Sequence, residues 1–187
     1  MISSYRLGDL VLVVLNKEEQ RELKKDYPNS IGYDYILQYT PKLNKIDLIT
    51  SITLKHIERY KSLLPPDIEN SSVLHVRLGD VVCGNTSHEK EKRPFDINFL
   101  KNIKQNTKLY VIGKCFFAKT SSTNYDECIA SSNMYLENVI KELNAEHFDG
   151  GSADIDLCCA VKAKYFIQGK GFFSKLIFEI RKKLNLI

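Results

Sequence analysis

Three short apolar runs set the rhythm of the chain, and each is closed by glycine or a polar cluster. They are Ser72-Val73-Leu74-His75-Val76-Arg77-Leu78-Gly79-Asp80, Lys108 to Gly113, and Lys164 to Gln168 ahead of Gly169-Lys170-Gly171. Apolar runs of this length suit buried strands better than helices. Between them, apolar residues recur at helical spacing. The spacing predicts helices over 49–64, ended by Pro65-Pro66, and over a short stretch around 95–103 with Asp96 near its start. It predicts another over 126–144, with Ile129, Met134, Leu136, Ile140 and Leu143 as its apolar side. A fourth runs over 154–163, with Ser152 or Asp154 able to cap it, and a terminal amphipathic helix runs over 172–186. A short strand or extended link is expected over 145–148. Strands that alternate with helices in this way mean a parallel sheet with helices on both faces, an α/β fold of Rossmann-like type.

The first 48 residues read differently. Leu10 to Leu15 is Val-rich, and 16–26 is rich in helix formers. Strand-then-helix and one long helix from Gly8 are both open, with Gly8-Asp9 available as a cap for the second. Residues 28–44 are punctuated by Pro, Gly and Tyr and are expected to be irregular. The division expected is a helical or irregular extension over 1–48, packed on a Rossmann-like domain over 49–187. The charged segment 84–93 reads as an exposed loop, and His88 within it as a solvated histidine.

Composition narrows the partners. The net charge is +4, and Lys and Arg are interleaved with Glu and Asp. No basic stripe with interleaved aromatics marks a nucleic-acid surface. The five cysteines (Cys83, Cys115, Cys128, Cys158, Cys159) are odd in number and lack zinc-site spacing. The vicinal pair Cys158-Cys159 lies in an apolar run, so buried, reduced thiols and a reducing compartment are expected. No signal peptide is evident, and the longest apolar run is too short to span a membrane. A cytoplasmic protein without a membrane span is the expectation, with a homo-oligomer left open.

The candidate chemistry lies at the strand ends. The first brings His75, Arg77, Gly79 and Asp80, the second Gly113 and Lys114, and the third Gly169-Lys170-Gly171 before Phe172-Phe173-Ser174-Lys175. Glycines let the backbone approach an anion, and a helix N-terminus offers N–H groups and the positive end of its dipole. Ser174 adds a hydroxyl, Lys170 and Lys175 add charge, and Arg77 can fork onto phosphate oxygens. A diphosphate fits this set. The third glycine of the dinucleotide fingerprint and the Gly-Lys-Ser/Thr of the phosphate loop are both missing. Each residue also has a plain structural reading: His75 as a strand-end histidine, Asp154 and Asp156 as helix caps, Ser174 as a cap of its own helix.

His75-Val76-Arg77-Leu78-Gly79-Asp80 resembles the His-x-Arg-x-x-Asp motif of the GDP-fucose-dependent fucosyltransferases of GT-B fold. The segment from Asp156 through Ala163, Phe166 and Ile167 to the glycine loop, Phe173 and Ser174 is similar to the last motif of those enzymes. Arg93-Pro94-Phe95 and the strand from Leu109 match the intervening pattern more loosely. The likeness spans about residues 50 to 187. It implies the C-terminal, donor-binding half of such an enzyme, working without metal or resident cofactor on a nucleotide-diphosphate sugar, GDP-fucose favoured. It implies that Arg77 contacts donor phosphate, His75 the base, Asp156 the guanine edge and Ser174 phosphate. Asp80 would support Arg77 and the turn, and Gly169, Gly171, Phe173 and Lys175 would complete the binding loop. The second Arg seen in many family members is Leu78 here. The expected function is sugar transfer to a glycan or other hydroxyl acceptor; the alternative is a non-catalytic nucleotide-sugar-binding module that lost its acceptor domain. No catalytic base is identified, and Asp9, Asp34 and Asp47 are the open candidates.

Overall fold

The computed structural model describes residues 43–84, 90–103, 106–116 and 124–187. The expectations placed on the N-terminal extension before residue 43 and on His88 lie outside these residues. The helix expected from residue 49 begins earlier, as α1 (Leu43–Arg59), and stops before the prolines, with a 3-10 turn at Lys61–Leu63 completing the approach. There follow β1 (Ser72–His75), β2 (Leu78–Gly79), the single turn α2 (Asp80–Cys83), α3 (Ile97–Lys101), β3 (Leu109–Ile112) and β4 (Cys115–Phe116). The chain then forms α4 (Tyr125–Glu142), β5 (Glu146–His147), α5 (Ala153–Lys162), β6 (Tyr165–Ile167) and α6 (Phe172–Lys183). No described helix is long and apolar enough to cross a membrane.

Local chemistry accounts for the boundaries. Asp96, Asn124 and Ser152 cap α3, α4 and α5 by accepting backbone N–H bonds from Asn98, Asp126 and Ile155. Ser152, rather than Asp154, is therefore the cap of α5. Asn144 and Asn185 take left-handed backbone just past α4 and α6, a conformation Asn tolerates better than most residues.

The main sheet is parallel and four-stranded, in the order β5-β3-β1-β6. Counted along the chain this is the order 3-2-1-4, the first four positions of the doubly wound 3-2-1-4-5-6 sheet. Strand alternation sends Val73, Tyr110 and Ile112 to one face, where they meet α1, α5 and α6. Leu74, Leu109 and Val111 go to the other, against α3 and α4. The expected two-faced parallel α/β architecture is thus present. Helix α5 lies between the sheet and α1, so every residue from Ala153 to Val161 is buried. The stripe expected on α4 is kept in part, with Leu136 and Leu143 packed against the core, but its most buried positions are shifted. Cys128, Ser132 and Val139 are its buried residues, and Met134 is 61% exposed. The shift follows from α2 and β2, which pack on α4 and require small side chains there.

A buried cation fastens the end of α6. Arg181 is 1% exposed and donates to the carbonyl oxygens of Ala160, Val161, Ala163, Lys164 and Leu186, at 2.6–3.0 Å. These carbonyls close α5 and the chain just past α6, where helix dipoles are negative. Arg181→Met is expected to destabilise the fold by roughly 3 kcal/mol or more, because several buried acceptors lose their donor together. Arg181→Lys should not restore stability, since an ammonium lacks the planar fork. Urea unfolding of the three proteins at unchanged m-value checks both statements.

Candidate functional site

The sheet topology creates a crevice before any side chain is considered. Strands β1 and β3 pair with His75 opposite Ile112, and the ladder resumes in the same register as β2 and β4, with Leu78 opposite Cys115. β6 pairs with β1 only from Ser72 to Leu74. Its chain then leaves the sheet through Gly169–Gly171 to start α6. β1 and β6 are the strands between which the winding reverses, the place where open α/β sheets bind ligands. Arg77 follows β1 there, facing the loop that follows β6.

Two glycines clamp the exit of β1. A Cβ on Gly169 would lie 2.0 Å from the His75 carbonyl oxygen, and one on Gly113 would lie 2.2 Å from that of Val76. Neither position has room for a side chain. Gly171 has φ +91°, which favours glycine, and a Cβ there would lie 3.2 Å from both Cδ and Nη1 of Arg77. The guanidinium therefore lies against the first turn of α6. Its Nη2 is 3.5 Å from Oδ1 of Asp80, a buried carboxylate that opens α2. The Gly79 N–H donates to Ser132 Oγ at 2.9 Å, tying this turn to α4.

The first turn of α6 supplies the opposite wall. The first N–H to close an intrahelical bond is that of Lys175, to the Gly171 carbonyl at 3.2 Å. The N–H groups of a helix's first turn precede this ladder and point along its axis, away from the helix body. Ser174 is fully buried, and its Oγ has no hydrogen-bond partner. His75 is 3% exposed; its Nδ1 also has no hydrogen-bond partner, and its ring packs 5.2 Å from that of Phe173. Burial, aided by the Arg77 guanidinium, pushes the His75 pKa down to about 3. The imidazole is thus neutral at ordinary pH and offers a hydrogen bond, not a charge.

Sequence reasoning named Lys170 here but overlooked Lys92 and the ring contacts that both lysines make. Lys92 Nζ lies 5.2 Å from the centre of the Phe172 ring, and Lys170 Nζ lies 5.2 Å from that of Phe95. The segment 92–95 is thereby held against the glycine loop by two cation–π contacts. The interleaving of Lys and Phe at 92–95 and 170–172 was the available signal. Arg77, Lys92 and Lys170 gather positive charge near a helix N-terminus, an arrangement suited to an anion.

The expected residues fall into three groups. His75, Arg77, Asp80, Gly169, Gly171, Phe173 and Ser174 come together as described. Lys175 is exposed on the first turn of α6. Asp156 lies in the first turn of α5, also at the carboxyl edge of the sheet, but is wholly buried, with Oδ1 accepting the Gly150 N–H at 2.9 Å. It holds the turn that enters α5. Of the proposed bases, Asp9 and Asp34 lie outside the described residues. Asp47 is 2.7 Å from Lys183 at the far end of α6, roughly 16 Å along the helix from the glycine loop, so it is no part of this crevice. Lys114 is held 2.6 Å from Asp149.

The cysteines depart from expectation. Cys83 and Cys128 form a disulfide, with Cα atoms 5.5 Å apart, joining α2 to α4. Cys158 and Cys159 are free and buried as expected, and burial pushes the Cys158 thiol up to about 12. The pairing of two thiols removes the cysteines as support for a reducing, cytoplasmic setting.

Gly169→Ala and Gly113→Ala are each expected to cost about 1–3 kcal/mol, because a backbone carbonyl must move to admit a methyl group. Denaturant midpoints measure this. The acid limb of stability tests His75. An unfolded chain takes up a proton below about pH 6.5, while folded His75 does so only near pH 3. Between these values the unfolded state binds the extra proton, so stability falls as pH falls. The loss from pH 7 to pH 5 is on the order of 2 kcal/mol for one such group. His75→Gln should lose that share of the slope; an unchanged slope would mean that His75 titrates normally in the fold.

No family model, no curated protein and no solved structure matches the chain.

Proposed function

We propose that the crevice between β1 and β6 binds the diphosphate of a nucleotide sugar, with GDP-fucose the favoured donor. The protein then acts as a glycosyltransferase of the GT-B, fucosyltransferase-like kind, represented here by the donor-binding half. The observation that carries this reading is the placement of the Arg77 guanidinium against the N-terminal turn of α6, at the reversal point of the sheet. The guanidinium fork, the positive end of the α6 dipole and the buried Ser174 hydroxyl match a ligand with adjacent phosphate oxygens. His75 contributes a neutral hydrogen-bonding group beside them.

In the transfer, an acceptor hydroxyl oxygen bonds to the anomeric carbon. The bond from that carbon to the phosphate oxygen breaks, and the nucleoside diphosphate leaves with the electron pair. The hydroxyl proton passes to a base or to water. Arg77 and the dipole of α6 act where negative charge grows on the leaving group, which is the productive place for electrostatic stabilisation.

GDP, and more so GDP-fucose, is expected to raise the melting temperature, with UDP- and dTDP-sugars as comparisons. At ~100 times its dissociation constant a ligand adds about 2.7 kcal/mol. Arg77→Ala should abolish the shift, and Ser174→Ala should reduce it. Absence of a shift with every sugar nucleotide would overturn the reading. Binding with no hydrolysis or transfer of the sugar would instead identify a non-catalytic nucleotide-sugar-binding module.

A further inference from the structure

The turn that follows Arg77 depends on its neighbours for its shape. α2 is one helical turn of four residues, too short to be stable through its own hydrogen bonds. Contacts with α4 keep it in place. The Gly79 N–H donates to Ser132 Oγ just ahead of it, Val81 within it is buried, and Cys83 at its end is bonded to Cys128. Of these ties, the covalent one is open to chemical control.

α2 also carries contacts that shape the anion crevice. At its first residue, Asp80 Oδ1 stands 3.5 Å from Arg77 Nη2. Just past its last, the Gly84 carbonyl accepts from Arg93 Nη2 at 2.8 Å. Arg93 follows Lys92, whose Nζ lies 5.2 Å from the centre of the Phe172 ring at the start of α6. The guanidinium of Arg77 and the segment 92–95 are thus both referred to one helical turn, and sulfur fastens that turn to α4.

The placement of the cysteines favours exchange with an outside thiol. Cys128 is wholly buried, whereas Cys83 is only half-buried at the end of α2. A thiolate arriving from solvent therefore meets the Cys83 sulfur first. Cys158 and Cys159 lie in the core on the other side of the sheet. Cys115 has its thiol beside Ser132, one turn along α4 from Cys128, but burial raises that thiol above its ordinary range. It is a slow internal attacker, and an external reductant is required.

We propose that the Cys83–Cys128 bond is a redox latch on Arg77: intact, it holds Asp80 beside the guanidinium, and opened by a dithiol, it releases α2 and weakens the hold of the crevice on its anion. The inference deepens the reading of the crevice as a nucleotide-sugar site and rests on it only for the ligand. In the opening step a thiolate of the dithiol bonds to Cys83 Sγ. The Cys83–Cys128 bond breaks, and the Cys128 sulfur leaves with the electron pair and takes up a proton. The second thiol of the reagent then displaces the Cys83 thiolate, which is protonated in turn. The protein disulfide is reduced by two electrons and the dithiol is oxidised to its own disulfide.

The test compares the full chain before and after treatment with dithiothreitol. Alkylation after denaturation should mark three cysteines before reduction and five after it. The far-UV circular dichroism spectrum of the native protein should not change. Phenylglyoxal, which modifies accessible guanidinium groups, should label Arg77 roughly threefold faster or more in the reduced protein, as peptide mass spectrometry resolves. The Kd for GDP should rise about fivefold or more. Cys83→Ser should match the reduced protein with or without dithiothreitol, and Cys115→Ser should keep the full response; the wild-type comparison decides even where a variant fails to fold. Five alkylated cysteines before reduction, unfolding on reduction, or an Arg77 labelling rate that reduction leaves unchanged would each overturn the inference, whatever GDP does. Faster labelling with an unchanged Kd for GDP would overturn it as well. If GDP binds neither state, the donor reading falls, and the labelling rate alone decides whether Arg77 is latched.

Discussion

The exit of β1 is squeezed between two glycine backbones, and the geometry of the crevice depends on that squeeze. Gly113 and Gly169 each stand where a methyl group would collide with a carbonyl oxygen of the segment leaving β1. A strand paired on both sides and covered on both faces has no other freedom. The segment from His75 to Arg77 therefore leaves the sheet along one path, which delivers the guanidinium to the first turn of α6. A packed interior transmits such constraints without much slack.

Helix α6 links the crevice to the rest of the core. Its amino end faces Arg77, where the positive end of the helix dipole favours negative charge. Its carboxyl end is held by Arg181, which satisfies carbonyls at the close of α5 and past α6. Two arginines of opposite use thus bracket the helix. Arg181 is spent on backbone acceptors and is buried. Arg77 has a 17% exposed side chain and is positioned beside a helix terminus, so a ligand can share it. Neutral His75 beneath it avoids adding a second buried charge.

The other face of the sheet carries the supporting structure of the turn after Arg77. Ser132 of α4 receives the Gly79 N–H, and the Cys83–Cys128 bond holds α2 on the same helix. These small side chains explain why the buried stripe of α4 departs from its apolar periodicity. Contacts with a two-residue strand and a single helical turn decided which residues were covered.

Much of the fold was legible because the signals were local. Short Val- and Ile-rich strands, capping residues such as Asp96 and Ser152, and the amphipathic run after Gly171 depend only on nearby residues. The gathering of His75, Arg77, Gly169, Gly171 and Ser174 was legible too, because parallel strands bring their carboxyl ends to one edge. Tertiary structure alone decided the rest. The strand order, and with it the reversal between β1 and β6, depends on which strands pair across long separations. The Cys83–Cys128 bond and the five-carbonyl seat of Arg181 join segments whose spacing along the chain carries no periodic signal. The burial of Asp156 against the Gly150 N–H was likewise set by how the turn before α5 folds back, a contact no sequence pattern announces.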